Sequence, residues 1–210
     1  MKLNDLTVEP IHFEVARDLI SANHYLHSLP SATKLSYGLF SPETDSVPLG
    51  AVTYGACVNR HAIPNLFPDS TAADGLELTR LWAQDGLPKY AAGRLVSHSL
   101  RHLPQVTDRR IILTYVDSSR FDGTVFKATN WIHAGMTRGG RWQMFLDGKW
   151  YHPRTARTQW GTDNVGYLQE VYGPRLNVTW VEEGKHIFLY LLGSTKEKKQ
   201  LLEALCPSDQ

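Results

Sequence analysis

Ile111-Ile112-Leu113-Thr114-Tyr115-Val116 is an apolar, β-branched run that ends on Asp117. Continuous hydrophobicity of this kind predicts a strand covered on both faces, in the middle of a sheet, because a strand with one wet face alternates instead. Upstream, Ala92, Leu95, Val96, Ser99, Leu100 and Leu103 recur at helical spacing after Pro88, and Pro104 is expected to close that helix. Leu76, Leu78, Leu81 and Trp82 read as a strand stopped by Asp85-Gly86-Leu87-Pro88. Lys34 to Phe40 and Leu49 to Val58 read as an antiparallel hairpin, preceded by a helix carrying Phe13, Ala16 and Ile20. Downstream, a short helix is expected from about Gly123 to Trp131, then a hairpin turning on Asp147-Gly148. A strand from His186 to Leu192 and a Lys-rich helix from Thr195 to Leu205 complete the order. The sequence therefore predicts a mixed α+β fold.

The chain has 210 residues, 42% hydrophobic and 10% aromatic, enough for one well-buried core. No repeat or linker splits it, so residues 1 to 210 are read as one domain. A formal charge of +1 excludes an acidic solvating chain and a uniformly polybasic one, so attraction to polyanions must be local. Cys57 and Cys206 supply no framework of bridges, and the expectation is a reduced, cytoplasmic protein. Apolar runs such as Ile187 to Leu192 fall far below the roughly 20 residues that cross a bilayer.

Asp117 stands where polar groups open into a crevice, at the carboxyl end of a buried strand. On spacing alone a cap or turn residue before Ser118 and Ser119 is the favoured account of it. Pro88 to Arg94 opens a helix whose free N–H groups suit a phosphate or carbonyl oxygen, or simply permit close packing. Asn23-His24-Tyr25 is a surface turn, or a source of a base or metal ligand. Between residues 127 and 160, Lys127, Arg138, Arg141, Lys149, Arg154 and Arg157 face only Asp147 and are interleaved with Trp131, Trp142, Trp150, Tyr151 and Trp160. Phosphates want the cations and an unstacked base wants the rings. An ordinary hairpin with core tryptophans uses the same residues.

Taken together, Asn23-His-Tyr25, Glu77-Leu-Thr-Arg-Leu-Trp82, Pro88-Lys-Tyr-Ala-Ala-Gly-Arg94, Thr114-Tyr-Val-Asp117, Gly123-Thr-Val-Phe-Lys-Ala-Thr-Asn-Trp131 and Asp147-Gly-Lys-Trp-Tyr-His-Pro-Arg154 occur in one order. That ordered set, from about His24 to Tyr190, resembles the Mom family of phage DNA-modification proteins. The resemblance implies a GNAT (acetyltransferase)-like fold, a mostly antiparallel central sheet flanked by helices. It also implies a transferase that puts a carbamoylmethyl group on the exocyclic amine of adenine in double-stranded DNA, shielding phage DNA from restriction in the host cytoplasm.

Under that resemblance Asp117 is the expected base, with His24 and Tyr25 orienting or relaying and Arg80 holding the donor or a phosphate. Lys89, Ala91, Ala92, Gly93 and Arg94, with Ser97 and Ser99, are the expected donor site, although the turn lacks the glycine pair of acetyltransferase loops. The adenine is expected to stack on Trp131 with Asn130 reading its edge, and Lys127, Arg138, Arg141, Lys149 and Arg154 to meet the duplex. The expected donor is an activated acyl ester, glycyl-tRNA, which makes an aminoacyl-tRNA a partner. Acetyl-CoA is the alternative, with iron held by His24, Tyr25 and Asp117 as a minor one. A non-catalytic DNA-binding protective protein and a small-molecule acyltransferase are the competing functions.

Overall fold

The computed structural model describes residues 1–44 and 47–205, including the backbone but not the side chain of Arg141. Cys206 lies outside the described residues. The central sheet has seven strands, in the order β1 (Thr7–Pro10), β2 (Thr33–Phe40), β3 (Gly50–Gly55), β4 (Gly75–Ala83), β5 (Ile111–Asp117), β10 (Lys185–Leu191) and β6 (Ile132–Met136). Every neighbouring pair is antiparallel except β4 and β5. β5 is central, as its composition predicts, and Ile111, Ile112 and Leu113 are fully buried.

Alternation along β5 divides two hydrophobic layers. Ile112 and Val116 face α3 (Ala91–Val106) and pack with its Leu95, Leu100 and Leu103, while Phe126 of α4 (Thr124–Ala128), Trp131 and Phe188 extend that layer. Ile111 and Leu113 face the other way, onto Ile63 and Phe67 around α2 (Ala62–Leu66) and onto Leu201 of α7 (Thr195–Ala204). α1 (Phe13–Asn23) buries Ala16 and Ile20, the positions its periodicity selects. Pro104 does not close α3 but sits inside its last turn. There its missing N–H costs a single bond to the turn before, which the buried Leu100 and Leu103 outweigh. Among the described residues no helix is long and apolar enough to cross a membrane.

The parallel register of β4 on β5 runs only from Gly75↔Ile111 to Glu77↔Leu113. Beyond it the Thr114 hydroxyl donates to the Leu78 carbonyl at 3.0 Å, and the strands continue separately to Ala83 and Asp117. The two strands are thus parted towards their carboxyl ends.

A second, antiparallel sheet has the order β8 (Lys149–Tyr151), β7 (Arg141–Leu146), β9 (Leu176–Val181). Its β7–β8 turn is the expected Asp147-Gly148 pair, both at positive φ (48° and 82°), the geometry that a two-residue hairpin needs. One face packs Met144, Leu146 and Leu176 on Ala156 of α5 (Pro153–Trp160) and Leu168 of α6 (Val165–Tyr172). The chain enters from β6 and returns to β10 through one narrow waist. There the Thr137 N–H donates to the Lys185 carbonyl at 2.8 Å and the Gly140 N–H to the Val181 carbonyl at 3.1 Å. A Cβ at Gly139 would meet the Glu182 carbonyl oxygen at 1.5 Å, and one at Gly184 the Thr137 oxygen at 1.8 Å. Only glycine fits this crossing.

Candidate active site

Asp117 is 5% exposed. Its carbonyl accepts the N–H groups of Arg120 (3.0 Å) and Phe121 (2.9 Å), and its Oδ1 accepts the Ser119 hydroxyl at 2.7 Å. The cap reading of Asp117 is therefore true, and it coexists with a second feature. The carboxylate lines a cleft of about 60 Å³ with Arg120, with Tyr25 from the loop after α1, and with Gln143, Trp150 and His152 from the small sheet. Lys185, directly across the ladder from Asp117, shares its face and the cleft.

His24 is buried beside this cleft. Its Nδ1 accepts the Leu26 N–H at 3.1 Å and its ring stacks on Tyr25, centroids 4.5 Å apart. Burial first, and then the charges of Arg80 and His27, push its pKa down to about 4. At neutral pH the imidazole is thus uncharged, with its proton on Nε2, a donor rather than a cation. Tyr25 lines the cleft together with Asp117, and His24 stands behind Tyr25 without lining it. Arg80 is placed differently from expectation. Its Nε donates to the Ser28 carbonyl at 2.9 Å and its Nη1 to the Thr79 carbonyl at 2.6 Å, so the guanidinium pins the loop that carries His24 and Tyr25. Two of its nitrogens are thus committed to carbonyl groups of the protein.

Glu77 enters the sequence reading only as the first residue of a motif, with no role assigned to it. Its carboxylate accepts the Val58 N–H at 2.9 Å, and burial raises its pKa against that bond and the charges of Arg80 and Lys185. The Tyr115 hydroxyl is pushed up to about 12, by burial first and then by Glu77. A charged residue inside the apolar alternation Leu76-Glu77-Leu78 was the signal available for it.

At the start of α3 the Ala91 N–H bonds the Pro88 carbonyl and the Arg94 N–H bonds the Tyr90 carbonyl, leaving Ala92 and Gly93 in the first turn, where N–H groups lack helical partners. Those two amides fit a phosphate or carbonyl oxygen of an acyl donor such as acetyl-CoA. Three of the residues expected beside them are engaged elsewhere. The Arg94 Nε donates to the Leu6 carbonyl at 2.8 Å and ties down the amino-terminal segment. Ser99 is fully buried, bonded to the Tyr54 hydroxyl at 2.6 Å and donating to the Val96 carbonyl at 2.9 Å. The Lys89 ammonium lies over the Tyr90 ring. Ser97 is half-buried on α3.

Trp131 is not a stacking platform. It is 6% exposed, packed on Phe126 and Tyr190, with no hydrogen-bond partner for its indole N–H among the described residues. Asn130 follows α4 at φ 63°, exposed, and like Lys127 it does not line the Asp117 cleft, so the structure does not bring it to the carboxylate as expected. Arg138 is exposed in the loop between β6 and β7, and Arg154 is exposed in the first turn of α5. Lys149 is exposed on β8, its ammonium 5.3 Å from the Tyr151 ring centre. The side chain of Arg141 lies outside the described residues. The tryptophan that does reach the cleft is Trp150, one ring away from Phe145.

A metal fits poorly. Among the described residues no three His, Cys, Asp or Glu side chains gather as a ligand set, and His24 has already committed Nδ1 to a backbone N–H.

The sequence model of the Mom protein family matches residues 5–207. The methylcarbamoylase Mom of Escherichia phage Mu is 27% identical over 156 residues, which cover 72% of this chain and 61% of the phage Mu protein. The chain thus spans less than two thirds of that relative's length. Among solved structures, Arabidopsis thaliana NAA60 in complex with acetyl-CoA superposes with a TM-score of 0.54 at 12% identity, covering 89% of this chain and 99% of that one. A GNAT superfamily phosphinothricin acetyltransferase from Sinorhizobium meliloti, in complex with AcCoA, gives 0.52 at 10% identity over 90% and 89%. At such identities the likeness is one of fold. The central sheet with its parted β4 and β5 is that of the GNAT acetyltransferases, as the sequence motifs imply.

Proposed function

The chain belongs to the Mom protein family, and from that premise we propose that it is a transferase placing a carbamoylmethyl group on the exocyclic amine of adenine in double-stranded DNA, a mark that protects the DNA from restriction. The observation that carries the proposal is the position of Asp117: a buried carboxylate at the parted end of a GNAT sheet, across a cleft from Trp150 and Tyr25.

Adenine's exocyclic nitrogen shares its lone pair with the ring and attacks only as a proton leaves it. Asp117 takes that proton. Ser119 fixes the carboxylate through Oδ1, and Tyr25, backed by the neutral His24, orients the ring beside it. The target amine is paired within the duplex, so the base must be everted to reach a cleft of this depth. Exposed Lys149, Arg154, Arg138 and Lys127 supply phosphate contacts.

The electrophile is an acyl ester whose carbonyl is held by the first-turn amides of α3. We take glycyl-tRNA as that ester. The amine attacks the glycyl carbonyl, the tRNA 3′-hydroxyl leaves with the proton, and glycyl-adenine results. The glycyl amine then adds to the ring carbon bearing the amide, closing a five-membered intermediate. Cleavage of the original carbon–nitrogen bond leaves the glycine nitrogen on the ring and the old exocyclic nitrogen as the terminal amide. Atoms balance without an oxidant or reductant. Transfer from acetyl-CoA followed by amination would need both a nitrogen source and an oxidant.

Mass spectrometry of nucleosides from cells expressing the wild type or Asp117→Asn, grown on carbon- and nitrogen-labelled glycine, tests the proposal. The expected result is a doubly carbon-labelled mark with labelled nitrogen on the ring, falling about 10²- to 10⁴-fold in the variant. Undiminished mark in the variant removes Asp117 as the base, and unlabelled mark removes glycine. DNA binding with no mark from the wild type would leave only the protective binder.

A further inference from the structure

Arg120 lies on the turn that follows Asp117 and is exposed, yet its guanidinium has a defined place. It stands 5.0 Å from the centre of the Tyr25 ring and 5.3 Å from that of Trp150, joining the loop after α1 to the small sheet across the mouth of the cleft. No carboxylate among the described residues pairs with it. Its partners are the two ring faces, and its backbone N–H is tied to the Asp117 carbonyl at 3.0 Å. The next residue, Phe121, is 53% exposed and leans on Tyr25 with ring centres 5.8 Å apart. The turn after the buried carboxylate thus ends in a flat cation and an apolar wedge.

A guanidinium is planar and delocalised, and it stacks on aromatic rings as a heterocycle does. Rings that hold one flat group beside Asp117 can hold another of similar thickness. We infer that Arg120 keeps the Tyr25–Trp150 slot filled in the resting protein and, when adenine enters, gives up the slot and takes the vacated place in the duplex. This rests on the reading of the chain as an adenine-modifying enzyme and adds to it the positioning residue that exchanges with the base. The exchange is economical because the restraints on the side chain are two ring contacts with no ion pair to break. The bond of its backbone N–H to the Asp117 carbonyl keeps the turn, though not the side chain, in place throughout. Phe121 enters alongside as the wedge between base steps.

The test needs no acyl donor. Purified protein is titrated onto duplexes in which 2-aminopurine, an isomer of adenine that brightens when unstacked, faces either thymine or an abasic site. Wild type should brighten the paired probe. Arg120→Ala should do so at least tenfold less, while matching the wild type on the probe facing the abasic site, where eversion is already easy. Arg120→Lys, which keeps the charge but not the plane, should follow Arg120→Ala. Equal brightening of the paired probe by Arg120→Ala, an equal loss on both duplexes, or full rescue by Arg120→Lys would each overturn the inference. A wild type that marks DNA in cells yet brightens neither probe also overturns it while leaving the adenine reading standing. Absence of both mark and brightening brings down the two together.

Discussion

The two sheets use the same residue type to opposite ends. Trp131, at the foot of the large sheet, is walled in by Phe126 and Tyr190, whereas Trp150, on the small sheet, stands in the cleft opposite Asp117. The large sheet is covered on both faces by apolar layers and holds its carboxylate rigidly. The small sheet covers one face with α5 and α6 and leaves Gln143 and Trp150 to the cleft. Under the proposed function this divides chemistry from recognition, one sheet presenting the carboxylate and the other the aromatic wall and the cations.

The contrast can be broken most directly by exchanging tryptophans for alanine. Trp131→Ala should cost about 3–5 kcal/mol of stability, as large buried aromatics do, whereas Trp150→Ala should lower Tm much less and abolish modification. Equal losses of Tm in thermal melts would refute the division. His24 sharpens the boundary between the sheets. Its folded pKa of about 4 lies below the unfolded value of 6.5, so the unfolded chain binds the proton first. The stability is present above pH 6.5 and is lost as the pH falls towards 4, by ~3 kcal/mol in all. Urea melts across that range should show the slope in the wild type and lose it in His24→Gln. The smallest effect belongs to the small sheet's cations. Lys149→Ala and Arg154→Ala should each reduce the slope of log affinity for duplex DNA against log salt by about 1, without altering stability. An unchanged slope would remove these residues from the DNA interface.

The central strand, the helix before it and the Asp147-Gly148 turn were legible because each depends on local pattern: β-branched continuity, a 3.6-residue repeat, and two residues suited to positive φ. β1 and β6 were not, being short edge strands, one ending in Pro10 and the other containing Gly135. α5 was missed because Pro-Arg-Thr-Ala-Arg-Thr-Gln-Trp buries a single alanine deeply and shows no apolar stripe. Of the site, Asp117 was visible from its place at a strand end and His24-Tyr25 from the family motif. The misplacements share a cause. Trp131 and Ser99 were assigned to ligands for being able to stack or to bond, and pattern alone does not reveal that Phe126, Tyr190 and Tyr54 already satisfy those abilities. Arg120 and Trp150 come together only through the packing of the turn after β5 against the small sheet, and Glu77 meets Val58 only through the pairing of β3 with β4.

The glycine crossing at Gly139 and Gly184 sets how this protein can change over time. Because both polypeptide connections pass through one bare backbone junction, the outward surface of the small sheet is free to acquire new side chains without disturbing its seat. A methyl added at the junction itself would run into backbone, that of Glu182 from Gly139 and that of Thr137 from Gly184. Substitution is thus tolerated on the outer surface of the small sheet and refused at the crossing that seats it.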